Sequence, residues 1–359
     1  MVVIATIVNL TGTRTLARVA MLGFLCEIVG AIVVGGYLLL FHRVQPVSAL
    51  VTDFGFSQHG SFIPAFLAAS LVGMFCCFGF EACGDLAEET PDPGRRIPVA
   101  MRMTIYIGIS VTMLSVAGLL LAIPDMQEAV SGKIADPVAM ILQSAFGAHG
   151  YKILLCVILV SFTSCVLSLQ AAVSRLVFAY ARDQMIFGSA ILSRLSETSR
   201  VPTPSLILAG IVPSAIICIG YFAQDALTAI VNFASVGIYI AFQLVVFAAL
   251  HARARGWLPS GKFRLGAWAW PVNALALLYG IAAIINMLWP RAAPGAPWYV
   301  GYEQVLMVAA VLCVGLCYLI LARPELQGDA PAADAWTLFG RGRAAPESGL
   351  GQPAPEVSG

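Results

Sequence analysis

Three carboxylates stand where carboxylates are costly. Glu27, Glu81 and Asp85 fall inside apolar runs rather than at their edges. An ionised acid in hydrocarbon is disfavoured by several kcal/mol unless it faces a polar interior, so each marks a candidate site. Glu27 lies ten residues into its run, which at about 1.5 Å per residue puts it about 15 Å deep, close to a bilayer midplane. Such a group could titrate or hold a cation. Glu81 and Asp85 are spaced i, i+4 and would share one helix face. Gly79 and Gly84 bracket Glu81, and Gly73 precedes it; inside a helix each glycine costs roughly 1 kcal/mol against alanine. Two readings follow. In one, FGFEACG is the unwound joint of a discontinuous helix whose freed amides and carbonyls line a cavity, with Glu81 steadying the joint or titrating there. In the other, the glycines permit close helix packing and Glu81 reaches toward the cytoplasmic interface.

The elements that must carry these groups follow from composition. The 359 residues are 59% hydrophobic and 11% charged, with a mean hydropathy of +0.87, too apolar for a water-soluble surface of this size. An all-α integral membrane protein is predicted. Eight windows are long and apolar enough to cross as helices: Ala17–Phe41, Phe62–Ala87, Met103–Ile123, Ile153–Ala179, Pro204–Phe222, Leu227–Leu250, Trp268–Trp289 and Gln304–Leu321. The opening MVVIATIVNL reaches only about 15 Å as a helix, and no basic segment precedes it as in a signal peptide. It reads as the tail of a helix. Three regions are expected: residues 1–16 as a helix remnant and loop, 17–323 as the transmembrane domain, and 324–359, rich in Ala, Pro, Gly and acids, as a disordered cytoplasmic tail.

Alternate loops divide the basic residues unevenly. One set holds 16 of the 20 Lys and Arg and the other holds 4, so the rich set, with both termini, is assigned to the cytoplasm. A multi-pass protein of the cell membrane is expected. A net charge of +1 and the lack of a basic, aromatic-flanked cluster give no indication of nucleic acid. Nine cysteines lie in or beside apolar spans without a CxxC pair or nearby histidine, which fits packing rather than disulfides or metal. No cofactor is implied. A membrane-embedded enzyme is disfavoured because no HExxH, no paired acids on neighbouring spans and no intramembrane histidine occur. In the loop after Asp85, the acids Glu88, Glu89 and Asp92 are expected to face Arg95, Arg96 and Arg102 across a turn set by Pro91, Pro93 and Pro98. Such solvated pairs are worth under about 1 kcal/mol each.

GFEACGDLAEETPDPGRRIPVAM resembles the sixth transmembrane helix and following loop of the amino acid/polyamine/organocation (APC) permeases, whose common form reads GFE, AEE, NP, then RRxIPxA. Ser174–Leu206, SRLVFAYARDQMIFGSAILSRLSETSRVPTPSL, is similar to the family's SRxxxAMARDGxLP loop after the eighth helix, with Gln184 in place of glycine and Ile186–Phe187 in place of Leu-Pro. Gly12–Gly30 resembles the start of the fifth helix. The register covers the chain to Arg323. The resemblance implies eight transmembrane helices that correspond to helices five to twelve of a fold with two inverted five-helix repeats, a partial inverted-repeat transporter lacking the first three to four helices.

It further implies secondary active transport of amino acids or related amines, with a coupling proton or cation and membrane lipid as further partners. Phe75, Cys76, Cys77, Phe78, Gly79, Phe80 and Glu81 would form the retained half of the substrate site. Phe75 would act as an aromatic gate, and the carbonyls of Cys76, Cys77 and Phe78 would meet the substrate ammonium. Glu27 falls where some proton-coupled relatives carry lysine. A carboxylate there would titrate itself or hold a cation against the hydroxyls of Ser161 and Ser164, unless those serines bond their own helix carbonyls. With the first helices missing, the chain is expected to transport poorly by itself, and a non-transporting permease fragment is the alternative.

Overall fold

The computed structural model describes residues 1–52, 62–77, 79–196, 201–222, 224–257, 259, 261–291, 295 and 297–324. Among these no strand occurs. The helices are α1 (Val2–Leu10), α2 (Thr13–Phe41), α3 (Phe62–Cys76), α4 (Ala82–Asp85), α5 (Pro93–Leu121), α6 (Met126–Val130), α7 (Pro137–Arg182), α8 (Ser189–Leu192), α9 (Thr203–Phe222), α10 (Gln224–Ala254), α11 (Ala269–Leu288), α12 (Trp298–Gly301) and α13 (Glu303–Ala322). Among the described residues seven helical segments are long and apolar enough to cross a membrane. The eighth expected span, Phe62–Ala87, is divided into α3 and α4. With 15 residues, α3 reaches about 22 Å, short of the roughly 30 Å hydrocarbon core. Large apolar side chains such as Leu22, Val33, Ile320 and Leu321 lie exposed along the long helices, as a lipid-facing surface requires.

Small residues and buried amides bring the helices together, because apolar burial drives little association in lipid. A Cβ on Gly118 would come within 2.6 Å of the Gly35 carbonyl oxygen, so α2 and α5 cross backbone to backbone. On the other side of α2, Gly23 lies against the Ser164 side chain of α7, and the Ser164 hydroxyl donates to the Ala20 carbonyl at 3.2 Å. α1 packs on α7 and α9. Its buried Asn9 donates to the Leu167 carbonyl at 3.1 Å and to Gln170 at 3.3 Å, while Gln170 donates to Thr6 at 2.7 Å.

α7 starts at Pro137, where Asp136 accepts from the Ala139 amide at 2.9 Å, and leaves helical geometry at Gly147, φ 67° and ψ 177°, so a short arm with Ile141 and Leu142 buried precedes the stretch that holds the expected span Ile153–Ala179. One expectation needs correction. The acids after α4 do not pair with Arg95, Arg96 and Arg102. Glu89 accepts from Arg175 at 2.9 Å, Glu88 from Arg182 at 2.9 Å, and Asp92 from Lys262 at 3.0 Å. The turn points these acids toward the end of α7 and the loop before α11, while Arg102 lies over the Phe263 ring, 4.9 Å from its centroid. The expected tail, apart from Pro324, lies outside the described residues.

Candidate functional site

The break in the second apolar run begins with a displaced hydrogen bond. α3 ends at Cys76, and Gly79 adopts φ +104°, a backbone conformation that glycine takes without the strain a side chain adds. The Gly79 amide donates to the Glu81 carboxylate at 2.8 Å instead of to the preceding helical turn. Glu81 thus steadies the joint, the first of the two readings its setting allowed. The chain resumes helical turns as Cys83 and Gly84 donate to the Phe80 and Glu81 carbonyls at 3.3 and 2.7 Å. Among the described residues no donor reaches the carbonyl oxygens of Cys76 or Cys77. The Met74 carbonyl accepts from the Tyr239 hydroxyl of α10 at 3.2 Å, which ties α10 to the same joint.

Cys77, Phe80 and Glu81 open onto a cavity of about 550 Å³ whose other walls are α5, α10 and α11. Phe80 stacks on Phe242 with ring centroids 5.0 Å apart and planes at 25°, and Tyr239 and Tyr279 add two phenol rings. One carboxylate and several aromatic faces suit an organic ammonium: the acid accepts its protons, and ring faces attract its charge. Phe75 does not share this cavity. It lines a separate one of about 300 Å³ bounded by α10, α13 and the segment after α11. Cys76 is exposed and lines neither. Phe78 lies outside the described residues. Asp85 closes α4, one turn beyond Glu81.

The second expected cluster is assembled only in part. Glu27 borders two cavities, of about 440 Å³ toward α5 and about 400 Å³ toward α7. Ser161 lines the second with it, whereas Ser164 does not. The Ser161 hydroxyl donates to its own helix at Val157, 3.0 Å away, and Ser164 is taken up by Ala20. Neither bonds Glu27. Among the described residues the Glu27 carboxylate has no hydrogen-bond or ion-pair partner. Sequence reasoning missed Tyr239, Phe242 and Tyr279, which line the main cavity; single aromatic residues in apolar spans carry no signal that distinguishes them from lipid-facing ones.

A broken helix facing a cavity is the arrangement by which secondary transporters hold solutes, and the family profile of amino acid permeases matches residues 1–317. The chain belongs to the amino acid permease family. It is similar to a Macrophomina phaseolina protein named as a candidate amino acid/polyamine transporter, 25% identical over 258 residues, which is 70% of this chain and 56% of the relative. The rice amino-acid permease BAT1 homolog is 23% identical over 271 residues, 73% of this chain and 52% of the relative. The thiamine transporter thi9 of Schizosaccharomyces pombe is 26% identical over 253 residues, 68% and 42% respectively. The permease thus spans about half the length of the relatives it matches.

Proposed function

We propose that this permease chain carries out, or forms the larger part of a protein that carries out, secondary active transport of an amino acid or related amine across the cell membrane, with both termini cytoplasmic. The observation that supports this most is the joint at Cys77–Glu81. An apolar run gives up helical hydrogen bonds at a positive-φ glycine, and Cys77, Phe80 and the acid Glu81 border a cavity large enough for a small amine. A segment meant only to face lipid would keep those bonds, since each unsatisfied polar group in hydrocarbon costs several kcal/mol. In this reading the ammonium is held at Cys77 with Glu81 as counter-charge, and Cys76, which lines neither cavity, takes no part. Phe75 gates the opposite side of the joint, and Glu27 binds the coupling proton or cation.

Uptake by proteoliposomes containing the chain tests this, with labelled amino acids and amines as solutes. Gly79→Val should abolish uptake while the protein still inserts and purifies normally, because a β-branched residue is strained at φ +104°. Uptake that survives Gly79→Val unchanged would remove the joint from the mechanism. No uptake by the wild-type chain under any gradient would favour the non-transporting reading.

A further inference from the structure

The turn between α4 and α5 commits its acids elsewhere and leaves its bases without them. Glu88, Glu89 and Asp92 are taken by Arg182, Arg175 and Lys262. Arg95, Arg96 and Arg102, the arginines nearest to those acids in sequence, therefore have no carboxylate partner among the described residues. All three are exposed. Arg95 and Arg102 share one face of α5, about 10 Å apart along its axis, and Arg96 flanks them.

The loop before α11 lies along the same turns and adds two cations. It meets α5 at three points: Lys262 donates to Asp92 at 3.0 Å, a Cβ on Gly94 would lie 3.5 Å from the Gly261 Cα, and Arg102 sits over the Phe263 ring. Arg264 follows, exposed and with neither a hydrogen-bond nor an ion-pair partner among the described residues. Five cationic side chains thus gather around the one carboxylate of Asp92. Their mutual repulsion is relieved when an anion joins them.

Arg102 is held ready for such an anion. Its Nε donates to the Pro98 carbonyl at 3.3 Å and its guanidinium rests on Phe263, which fixes the side chain while both terminal nitrogens keep their N–H groups. Two parallel N–H groups of a guanidinium match two oxygens of a phosphate. The surroundings favour a phosphate carried by lipid over a free one. α5 has no charged residue from Met103 to its end at Leu121, and Met103, Tyr106 and Ile107 lie exposed just beyond Arg102. Trp268 and Trp270 are exposed where α11 begins, as aromatic side chains are at the membrane–water boundary. Basic clusters at the end of a membrane helix attract anionic headgroups; here acyl chains also find an apolar surface one turn away.

We infer that the first three turns of α5 and the loop of residues 261–264 form a binding site for one anionic phospholipid. Arg102 holds the headgroup phosphate, Arg95, Arg96 and Arg264 supply the remaining positive charge, and the acyl chains lie along α5 past Met103.

The inference goes beyond the transport reading, and it is tested by binding without uptake, so either can fail alone. The full chain, purified in a neutral detergent, is given equal amounts of phosphatidylglycerol and phosphatidylcholine with identical acyl chains, and the retained lipid is counted by native mass spectrometry. One phosphatidylglycerol should be held about tenfold or more tighter than phosphatidylcholine. The side chains of Arg95 and Arg264 make no hydrogen bond or ion pair among the described residues, so Arg95→Gln and Arg264→Gln carry the decision; each should weaken retention about fivefold, equivalent to about 1 kcal/mol. Arg102→Gln should weaken it further, and Arg102→Lys, which keeps the charge without the fork, should restore only part; both are read beside a thermal melt because the Phe263 contact changes too. Arg43→Gln, exposed after the far end of α2, should retain lipid as the wild type does. Equal retention of the two lipids, wild-type affinity in Arg95→Gln and Arg264→Gln, or an equal loss in Arg43→Gln would overturn the inference. Displacement of the phospholipid by millimolar inorganic phosphate would overturn it as well, by making this a site for a soluble anion.

Discussion

Glu89→Ala should destabilise the permease well beyond what a surface ion pair would predict. Arg175, its partner, is 8% exposed while Glu89 is 35% exposed, and Arg175 is otherwise held by the Ala171 carbonyl at 3.3 Å and Ser174 at 3.2 Å. Removing one partner of a fully buried pair costs about 3–5 kcal/mol, because the remaining charge is stranded. Here water reaches the Glu89 side, which reduces the expected loss to about 2 kcal/mol. Glu89 also accepts from Thr13 at 3.0 Å, so the loss falls on the contact between α2 and α7 as well. Glu88 is the internal control. Its pair with Arg182 is exposed on both sides, 62% and 43%, and Glu88→Ala should cost under about 1 kcal/mol. In thermal unfolding of the nanodisc-bound protein the Glu89 variant should melt lower by roughly 4 °C and the Glu88 variant hardly at all. A double-mutant cycle with Arg175→Met isolates the pair. Equal losses for the two acids, or a cycle with no coupling between Glu89 and Arg175, would refute the burial argument.

Three further outcomes are expected. Gly118→Val places side-chain atoms against the Gly35 backbone, already 2.6 Å from a modest Cβ; the α2–α5 crossing should part at a cost of about 1–3 kcal/mol or more, seen as a lower melting temperature with no comparable loss for Gly36→Val, whose Cβ meets open space. If Glu27 binds the coupling proton, wild-type uptake rises as external pH falls and Glu27→Gln is flat with pH; a Gln variant that keeps the wild-type profile removes Glu27 from coupling. Asn286→Leu deletes the donor to Leu67 and Ser70 and the side-chain acceptor of Arg291, so α3 should become more accessible to thiol reagents at Cys76, measured as a faster modification rate than in wild type.

Much of this fold is legible because membrane helices announce themselves by length and hydropathy. The break is legible too, since two glycines around an acid in an apolar run leave few physical uses for the acid. What the sequence does not disclose depends on approach between distant segments. Glu89 and Arg175 are 86 positions apart, and nothing local to the loop distinguishes Arg175 from the nearer Arg95 and Arg96. Ser164 turns toward Ala20 because Gly23 admits it, a fact of helix crossing rather than of either residue. The arm that begins at Pro137 is set off from the rest of α7 by Gly147, whose φ of 67° breaks the helix, a bend that hydropathy does not mark. The cavity at Phe75 and Arg291 draws its walls from five helices and the segment after α11, none with a pattern of its own.

The joint itself can be addressed at one atom. Cys77–Phe78 is the single Cys-Phe step in the sequence, so cysteine labelled with ¹³C at the carbonyl and phenylalanine labelled with ¹⁵N at the amide give one solid-state NMR correlation, which reports the carbonyl of Cys77, a residue that lines the cavity. The account predicts a carbonyl shift outside the helical range that moves when a saturating amine or amino acid substrate is added. A helical shift that no transported solute perturbs would contradict it.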